Sequence, residues 1–363
     1  MCLKDFISSR IDKQISFCLL MSLCFITFLA QGQDELYPRL NIGSAAPPLR
    51  IREWLKGKPI QKFEKGKIYV IEFWATWCAP CKAAMPRLSK LAKKYKNKVT
   101  FIGIDVYEKN TMSANKIKEF VDSMGQRMYY RVATQDSNLM EISWLNASGE
   151  TGVPTAFIVN SEARLAWMGH PSHLHEILPK IVKNDWDVNE ELLKRNSDKY
   201  LEKLDDSLGI EFNKFYRHNA GTTYYLSDSA LIAIADIIKT EPKLKYAPVI
   251  AYHTFTALLI NDPTKAYEYG KVAIAAPTYD YPPYHQIIEV INRYSDDLTL
   301  PPKIYELGAE AYQAEIDHIA YPEIVDIPKL YNKMAAWYWR ARNKSKAIDA
   351  EKKVIKTMKK SNG

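Results

Sequence analysis

Two kinds of hydrophobic pattern divide the chain. In its first half, short continuous apolar runs recur between turn residues: Ile68–Trp74, Val99–Asp105 and Ala156–Val159. Runs of this length, rich in β-branched and aromatic residues, predict strands buried on both faces. Between the first two, Ala83, Ala84, Met85, Leu88, Leu91 and Ala92 recur at three- and four-residue steps against Lys90, Lys93 and Lys94. That spacing predicts an amphipathic helix from Lys82 onward, and strand, helix, strand implies parallel pairing. Further along, Ile117, Phe120, Val121 and Met124 predict a helix over Ser113–Met124 with Ser113 as its N-cap. Tyr129–Ala133 predicts a strand, Asn138–Leu145 a short helix, and Phe157–Asn160 with Arg164–Gly169 a hairpin. Upstream, prolines and glycines punctuate residues 33–67, with one alternating strand at Leu49–Leu55.

From Asn184 the pattern becomes helical throughout, and 17 of the 23 tyrosines fall between Tyr200 and Tyr338. Two segments there are alike. Tyr252–Ile274 and Ala335–Val354 each carry an Ala- and aromatic-rich helix, a short polar turn and a Lys-Ala that opens the next helix. They read as tetratricopeptide-like helical hairpins, although the copies lie 81 residues apart. Stacked hairpins offer a concave face for an extended polypeptide or a glycan, whereas tyrosines and tryptophans such as Trp337, Tyr338 and Trp339 also serve simply to wedge helices together.

The first residues read as a leader. Lys4, Arg10 and Lys13 precede an apolar run from Ile15 to Ala30, and Ala30-Gln31-Gly32 offers small residues for cleavage after Gly32. The run is short for a spanning helix, which leaves an uncleaved membrane anchor as the alternative. Cys18 and Cys24 would leave with the leader. The expected organisation is a signal peptide (1–32), an α/β domain (33–183) and an all-α helical domain (184–363). With 47% hydrophobic residues, the chain has enough apolar content for two globular cores. The formal net charge is +8, with no basic stripe joined to a nucleic-acid motif, so the charge reads as solubility and no nucleic-acid partner is expected.

The chemistry concentrates in Trp77-Cys78-Ala79-Pro80-Cys81, which holds the only cysteines left beyond the leader. Cys78 falls at a strand-to-helix turn, where unpaired N–H groups and the helix dipole favour a thiolate. Two intervening residues let the pair close a small ring, and let a mixed disulfide at the first cysteine be resolved by the second. Cys78 is thus assigned as an exposed nucleophile and Cys81 as the resolving thiol, with Ala79 and Pro80 tuning the potential. Zinc would need two further ligands that the sequence does not offer, and His170, His173 and His175 lack a carboxylate or cysteine cluster beside them, so neither metal nor cofactor is expected.

The run Y-V-I-E-F-W-A-T-W-C-A-P-C-K-A-A-M-P, residues 69–86, together with Gly152-Val153-Pro154-Thr155, resembles the thioredoxin superfamily, and more narrowly its TlpA-like and ResA-like thiol–disulfide oxidoreductases. The resemblance implies a thioredoxin-like domain, a central mixed sheet flanked by helices. By the same resemblance Glu72 is a buried carboxylate handling the proton of the resolving cysteine, Pro86 kinks the helix, and Pro154 is a cis-proline beside the dithiol. Trp77, Val153 and Pro154 are then the residues that meet a client strand. Two features of the chain match family additions: an N-terminal hairpin before the core, and an extra strand–helix element after Asp105. Ser161-Glu162-Ala163 departs from the family's usual turn. The bland readings are that Glu72 pairs with Lys82 or Lys98, and that Trp144 is a core residue rather than part of the client surface.

Three functions follow. One is an exported, periplasmic reductase of client disulfides, with client thiols and disulfides and an electron-donor protein as partners. Another is a disulfide oxidant or isomerase. The third is a non-enzymatic adaptor whose helical domain binds a peptide or protein, a reading that leaves the two thiols without a purpose.

Overall fold

The computed structural model describes residues 38–108, 113–219, 222–279, 281–295 and 299–361. The expected leader, with Cys18, Cys24 and Gly32, lies outside the described residues. By proximity of its residues the chain divides into two units: residues up to Trp77 with Ser89–Leu192, and Cys78–Leu88 with Leu193 onward.

The apolar runs are the central strands of one six-stranded sheet. Its strands are β1 (Ile51–Lys56), β2 (Ile68–Trp74), β3 (Val99–Asp105), β4 (Arg131–Gln135), β5 (Thr155–Val159) and β6 (Leu165–Gly169). They lie in the order β1-β4-β3-β2-β5-β6. β2, β3 and β4 are parallel, whereas β1, β5 and β6 join antiparallel, so the sheet is mixed as expected. The β2–β3 ladder runs without a slip from Ile68 opposite Val99 to Trp74 opposite Asp105. On one face Ile71, Phe73, Ile102, Ile104, Phe157 and Val159 form the core with Trp144. Trp144 is fully buried and stands edge-on to Phe157, at 5.3 Å between ring centres. It is a core residue, its ring wedged among those of Phe63, Phe73 and Phe157.

Several local expectations shift. The helix α1 spans Ala79–Lys94, with Pro86 inside it, and α2 spans Ala114–Met124, with the Ser113 hydroxyl accepting from Lys116 N. The strand placed at Tyr129 begins at Arg131, because Gly125–Met128 first closes a tight 3₁₀ turn. The segment Glu141–Asn146 is a π-helical turn rather than plain α-helix, which swings Trp144 and Leu145 together into the core. β1 pairs with β4 at the sheet edge; among the described residues no second lead-in strand forms a hairpin with it. The hairpin β5–β6 is as expected. The helix α3 (Leu174–Val182) closes the sheet region, and α4 (Val188–Phe212) starts with Val188 and Leu192 packed on the sheet core.

Beyond Leu193 the structure is helical, with one correction: a two-stranded hairpin, β7 (Tyr216–Asn219) and β8 (Thr222–Tyr225), interrupts it. Aromatic and β-branched residues at Tyr216, Thr222, Thr223, Tyr224 and Tyr225 favour the pleat there over a helix. The helices α5 (Ser227–Thr240), α6 (Pro248–Asn261), α7 (Pro263–Ala273), α8 (Tyr284–Tyr294), α9 (Pro302–His318), α10 (Ile327–Arg340) and α11 (Lys344–Ser361) follow. The two matching segments are both helical hairpins, α6–α7 and α10–α11. Their polar turns act as caps: Asp262 accepts from Thr264 N and Lys265 N, and Asn343 accepts from Lys346 N. Trp337 and Tyr338 are buried wedges, as the architectural reading holds, and a Cβ at Gly308 would overlap the Trp337 ring. Trp339, by contrast, is 62% exposed.

Candidate active site

Cys78 and Cys81 are joined by a disulfide, with their Cα atoms 5.3 Å apart across the first turn of α1. The helix begins here because β2 ends at Trp74 and Pro80, at the second helical position, lacks only a donor that this turn leaves unpaired in any case. Cys81 N donates to Cys78 Sγ at 3.1 Å, and Lys82 N donates to Cys78 O at 3.2 Å. A donor already aimed at that sulfur stabilises negative charge on it when the disulfide opens. The expectation of an exposed Cys78 is corrected: its accessibility is 2%, its sulfur being bonded to that of the fully buried Cys81 and accepting from Cys81 N. Ala79 is exposed and Pro80 half-buried. Trp77 is 52% exposed, and its indole Nε1 donates to Tyr107 O at 2.9 Å. This bond fixes an apolar ring at the surface one residue before the nucleophile.

Thr76 is held on both sides by one carboxylate. Its N–H donates to Glu108 Oε1 at 2.5 Å and its hydroxyl to Glu108 Oε2 at 2.9 Å. Glu108 in turn shares a hydrogen bond with Asp105, whose carboxyl is pushed up to about 9 by burial first and then by the Glu108 charge. Neither acid was picked out in the sequence; the signal there was an aspartate closing an otherwise apolar strand.

Glu72 sits on β2, 2% accessible, with neither carboxylate oxygen hydrogen-bonded. It pairs with neither Lys82 nor Lys98. Burial alone pushes its carboxyl up to about 8, so near neutral pH it holds a proton and can give it up with little cost. Pro154 follows a cis peptide bond from Val153, and the Thr155 hydroxyl donates to Gly152 O at 2.7 Å across that turn. Val153 is half-buried.

The comparisons with known proteins fall on this region. Residues 58–123 match the thioredoxin family model, a stretch that runs from the lead-in through the dithiol and β3 into α2. Protein FixW of Rhizobium leguminosarum is 35% identical over 152 residues, which is 40% of this chain and 68% of that protein. The chain belongs to the thioredoxin superfamily. Within it, the thiol-disulfide oxidoreductase ResA of Bacillus cereus is 31% identical over 139 residues, covering 38% of this chain and 74% of the relative. The thiol:disulfide interchange protein HelX of Rhodobacter capsulatus is 28% identical over 140 residues, covering 38% and 72%. With its Cys-x-x-Cys pair intact, this thioredoxin-superfamily member is a thiol–disulfide oxidoreductase of the ResA-like kind.

Proposed function

We propose that the protein is an exported reductase of client-protein disulfides, with Cys78 as nucleophile, Cys81 as resolving thiol and Glu72 as the proton group. The observation that carries this reading is the donor from Cys81 N to Cys78 Sγ at the start of α1, which favours charge on Cys78 and not on the buried Cys81. In the reduced enzyme the Cys78 thiolate attacks one sulfur of a client disulfide, and the other client sulfur leaves as a thiolate and takes a proton from solvent. Glu72, having first given up its own proton toward solvent, takes the proton of Cys81, which attacks Cys78 Sγ; the second client sulfur leaves as a thiolate and takes a proton from solvent, and the Cys78–Cys81 disulfide forms. Two electrons have then passed to the client, and a donor protein of the thiol class must restore the dithiol. Trp77, Val153 and the cis bond at Pro154 present the surface for an extended client strand, and Ala79 and Pro80 set the potential.

The accompanying proposals are a signal peptide over residues 1–32, cleaved near Gly32, a TlpA-like domain over 33–183 and a helical domain over 184–363, with the enzyme working in the periplasm. The uncleaved leader as an anchor is the alternative; among the described residues no helix is long and apolar enough to cross a membrane. The helical domain is proposed to hold a peptide or protein ligand, and exposed Trp339 is one residue it offers.

The test is trapping. Cys81→Ala incubated with a disulfide-bonded model client such as insulin accumulates a mixed disulfide on Cys78, whereas Cys78→Ala accumulates none on Cys81. Equal trapping by both variants would overturn the assignment of roles.

A further inference from the structure

Buried polar atoms without a hydrogen-bond partner are rare in folded proteins, and each calls for a reason. Among the described residues, five side chains that carry such atoms come from three neighbouring strands or the approach to one of them: Glu72, Trp74, Asp105, Tyr130 and Thr134. The parallel registers place them together. Glu72 is opposite Gly103 and Trp74 opposite Asp105 on the β2–β3 ladder, while Gly103 is opposite Val132 and Asp105 opposite Thr134 on β3–β4. Side chains paired across parallel strands share a face, so Glu72, Trp74, Asp105 and Thr134 all point to the side of the sheet away from the Phe73–Trp144–Phe157 core.

The centre of this patch is Gly103. A Cβ there would come within 2.9 Å of Tyr130 Cε2 and 3.1 Å of Trp74 Nε1, so only glycine lets the two rings close over the strand. Tyr130 comes from the segment leading into β4, which the active-site helix anchors: Ser89 Oγ donates to Arg127 O at 2.7 Å and accepts from Tyr129 N at 2.8 Å. Its hydroxyl is buried and unpaired, and it feels the charge of Glu72. No cation compensates Glu72. β5 sets Ala156 opposite it, α2 covers the neighbouring Trp74 with the Phe120 ring at 5.5 Å, and the charges that act across this patch are that of Glu72 on Tyr130 and that of Glu108 on Asp105. Asp105 leads outward through its hydrogen bond to Glu108, which is half-buried and open in part to solvent.

We propose that Tyr130, with the Asp105–Glu108 acid pair, forms the path by which the proton held on Glu72 exchanges with solvent. The inference rests on the reading of Glu72 as the proton group. Glu72, Tyr130 and the inner Asp105 oxygen do not bond one another directly, so in each passage a water between neighbouring oxygens carries the proton from Glu72 to Tyr130, and from Tyr130 toward Asp105. Asp105 passes one to Glu108 and Glu108 to water, so one proton enters and one leaves with no change in oxidation state. The Trp74 N–H, a donor only, cannot carry the proton. Tyr130 and Asp105 act through Glu72 and are positioning residues. The same Glu108 holds Thr76, so the outer end of the path lies two residues from Cys78.

The test compares Tyr130→Phe, Asp105→Asn and Glu72→Gln in the full chain. The readouts are the rate of the Cys81 resolving step, measured by stopped flow on a preformed Cys78 mixed disulfide from pH 5 to 10, and its solvent deuterium isotope effect. Tyr130→Phe removes only the hydroxyl and keeps the ring over Gly103, so folding is retained. The expected result is a resolving rate about tenfold lower around neutral pH, approaching wild type above pH 9, with a larger isotope effect than wild type. Asp105→Asn lowers the rate in the same direction. If Glu72→Gln slows resolution and flattens the pH profile while Tyr130→Phe leaves rate, profile and isotope effect at wild-type values, the path is overturned and the role of Glu72 stands. If Glu72→Gln also changes nothing, the proton role of Glu72 falls and the path with it.

Discussion

Buried acids are treated in opposite ways by the two parts of the chain. In the helical part Asp205 is buried, yet its carboxylate accepts from Val249 N at 3.0 Å, from Ile250 N at 3.4 Å and from the Tyr279 hydroxyl at 3.0 Å. It satisfies the first free N–H groups of α6, which the Ala247–Pro248 start leaves without a capping side chain. In the sheet domain Glu72 is as deeply buried and accepts no hydrogen bond at all. A satisfied acid holds architecture together, and an unsatisfied one stores a proton at a pH where it can be moved. His253 follows the pattern of the helical part: its Nδ1 is paired with the Tyr225 hydroxyl at 2.8 Å, and burial, with the nearby Arg293 charge, lowers it to about 4, so it stays neutral and structural.

The sharpest way to break this contrast is at the dithiol. Cys78→Ala is expected to abolish disulfide reduction, a loss beyond about a thousandfold, with no effect on the helical core; retained activity would place the chemistry elsewhere. Next comes Asp205→Ala, which leaves two backbone donors, the Ile250 one buried, and a phenol unpaired. It is expected to cost about 3 kcal/mol in urea denaturation, with the loss confined to the helical signal, while the kinetics of Cys78 stay as in wild type. Unchanged stability would show that Asp205 is no more architectural than Glu72.

Glu72→Gln runs the other way. The carboxyl of Glu72 is raised from its ordinary value of 4.5 to about 8 on folding. The folded state therefore holds a proton that the unfolded state releases between those values, and wild-type stability falls as pH rises through that window. Glu72→Gln removes the dependence, so the variant gains on wild type by a few kcal/mol from pH 4.5 to 8, read as a widening gap in midpoint denaturant. A constant gap would mean that the carboxyl is solvated. The smallest effect is Ser113→Ala, expected to cost about 1 kcal/mol through the lost cap on α2, with no change in the redox chemistry.

Much of the fold was legible because its signals are local. β2 and β3 read as apolar runs, α2 as a three-and-four spacing behind a serine cap, and Asp262 and Asn343 as polar turns before Lys-Ala. What stayed hidden depends on contacts distant in sequence. β1 looked like half of a hairpin, and only the arrival of β4 at the sheet edge gives it a partner, one that lies far along the chain. The β7–β8 hairpin was lost in a segment whose tyrosines suit a helix surface as well as a pleat. At the site, the cysteines, Glu72 and Pro154 stand at recognisable positions beside the motif. Tyr130, Asp105 and Glu108 do not, because nothing in the chain signals that Gly103 clears the space that brings a phenol and two acids to one face.

The measurement that bears most directly on the function is the reduction potential of the Cys78–Cys81 couple in the protein from Gln33 onward, from equilibration against glutathione and dithiothreitol buffers. A reductase of client disulfides predicts a value well below about −200 mV; a value near about −120 mV would make the protein an oxidant and contradict the account.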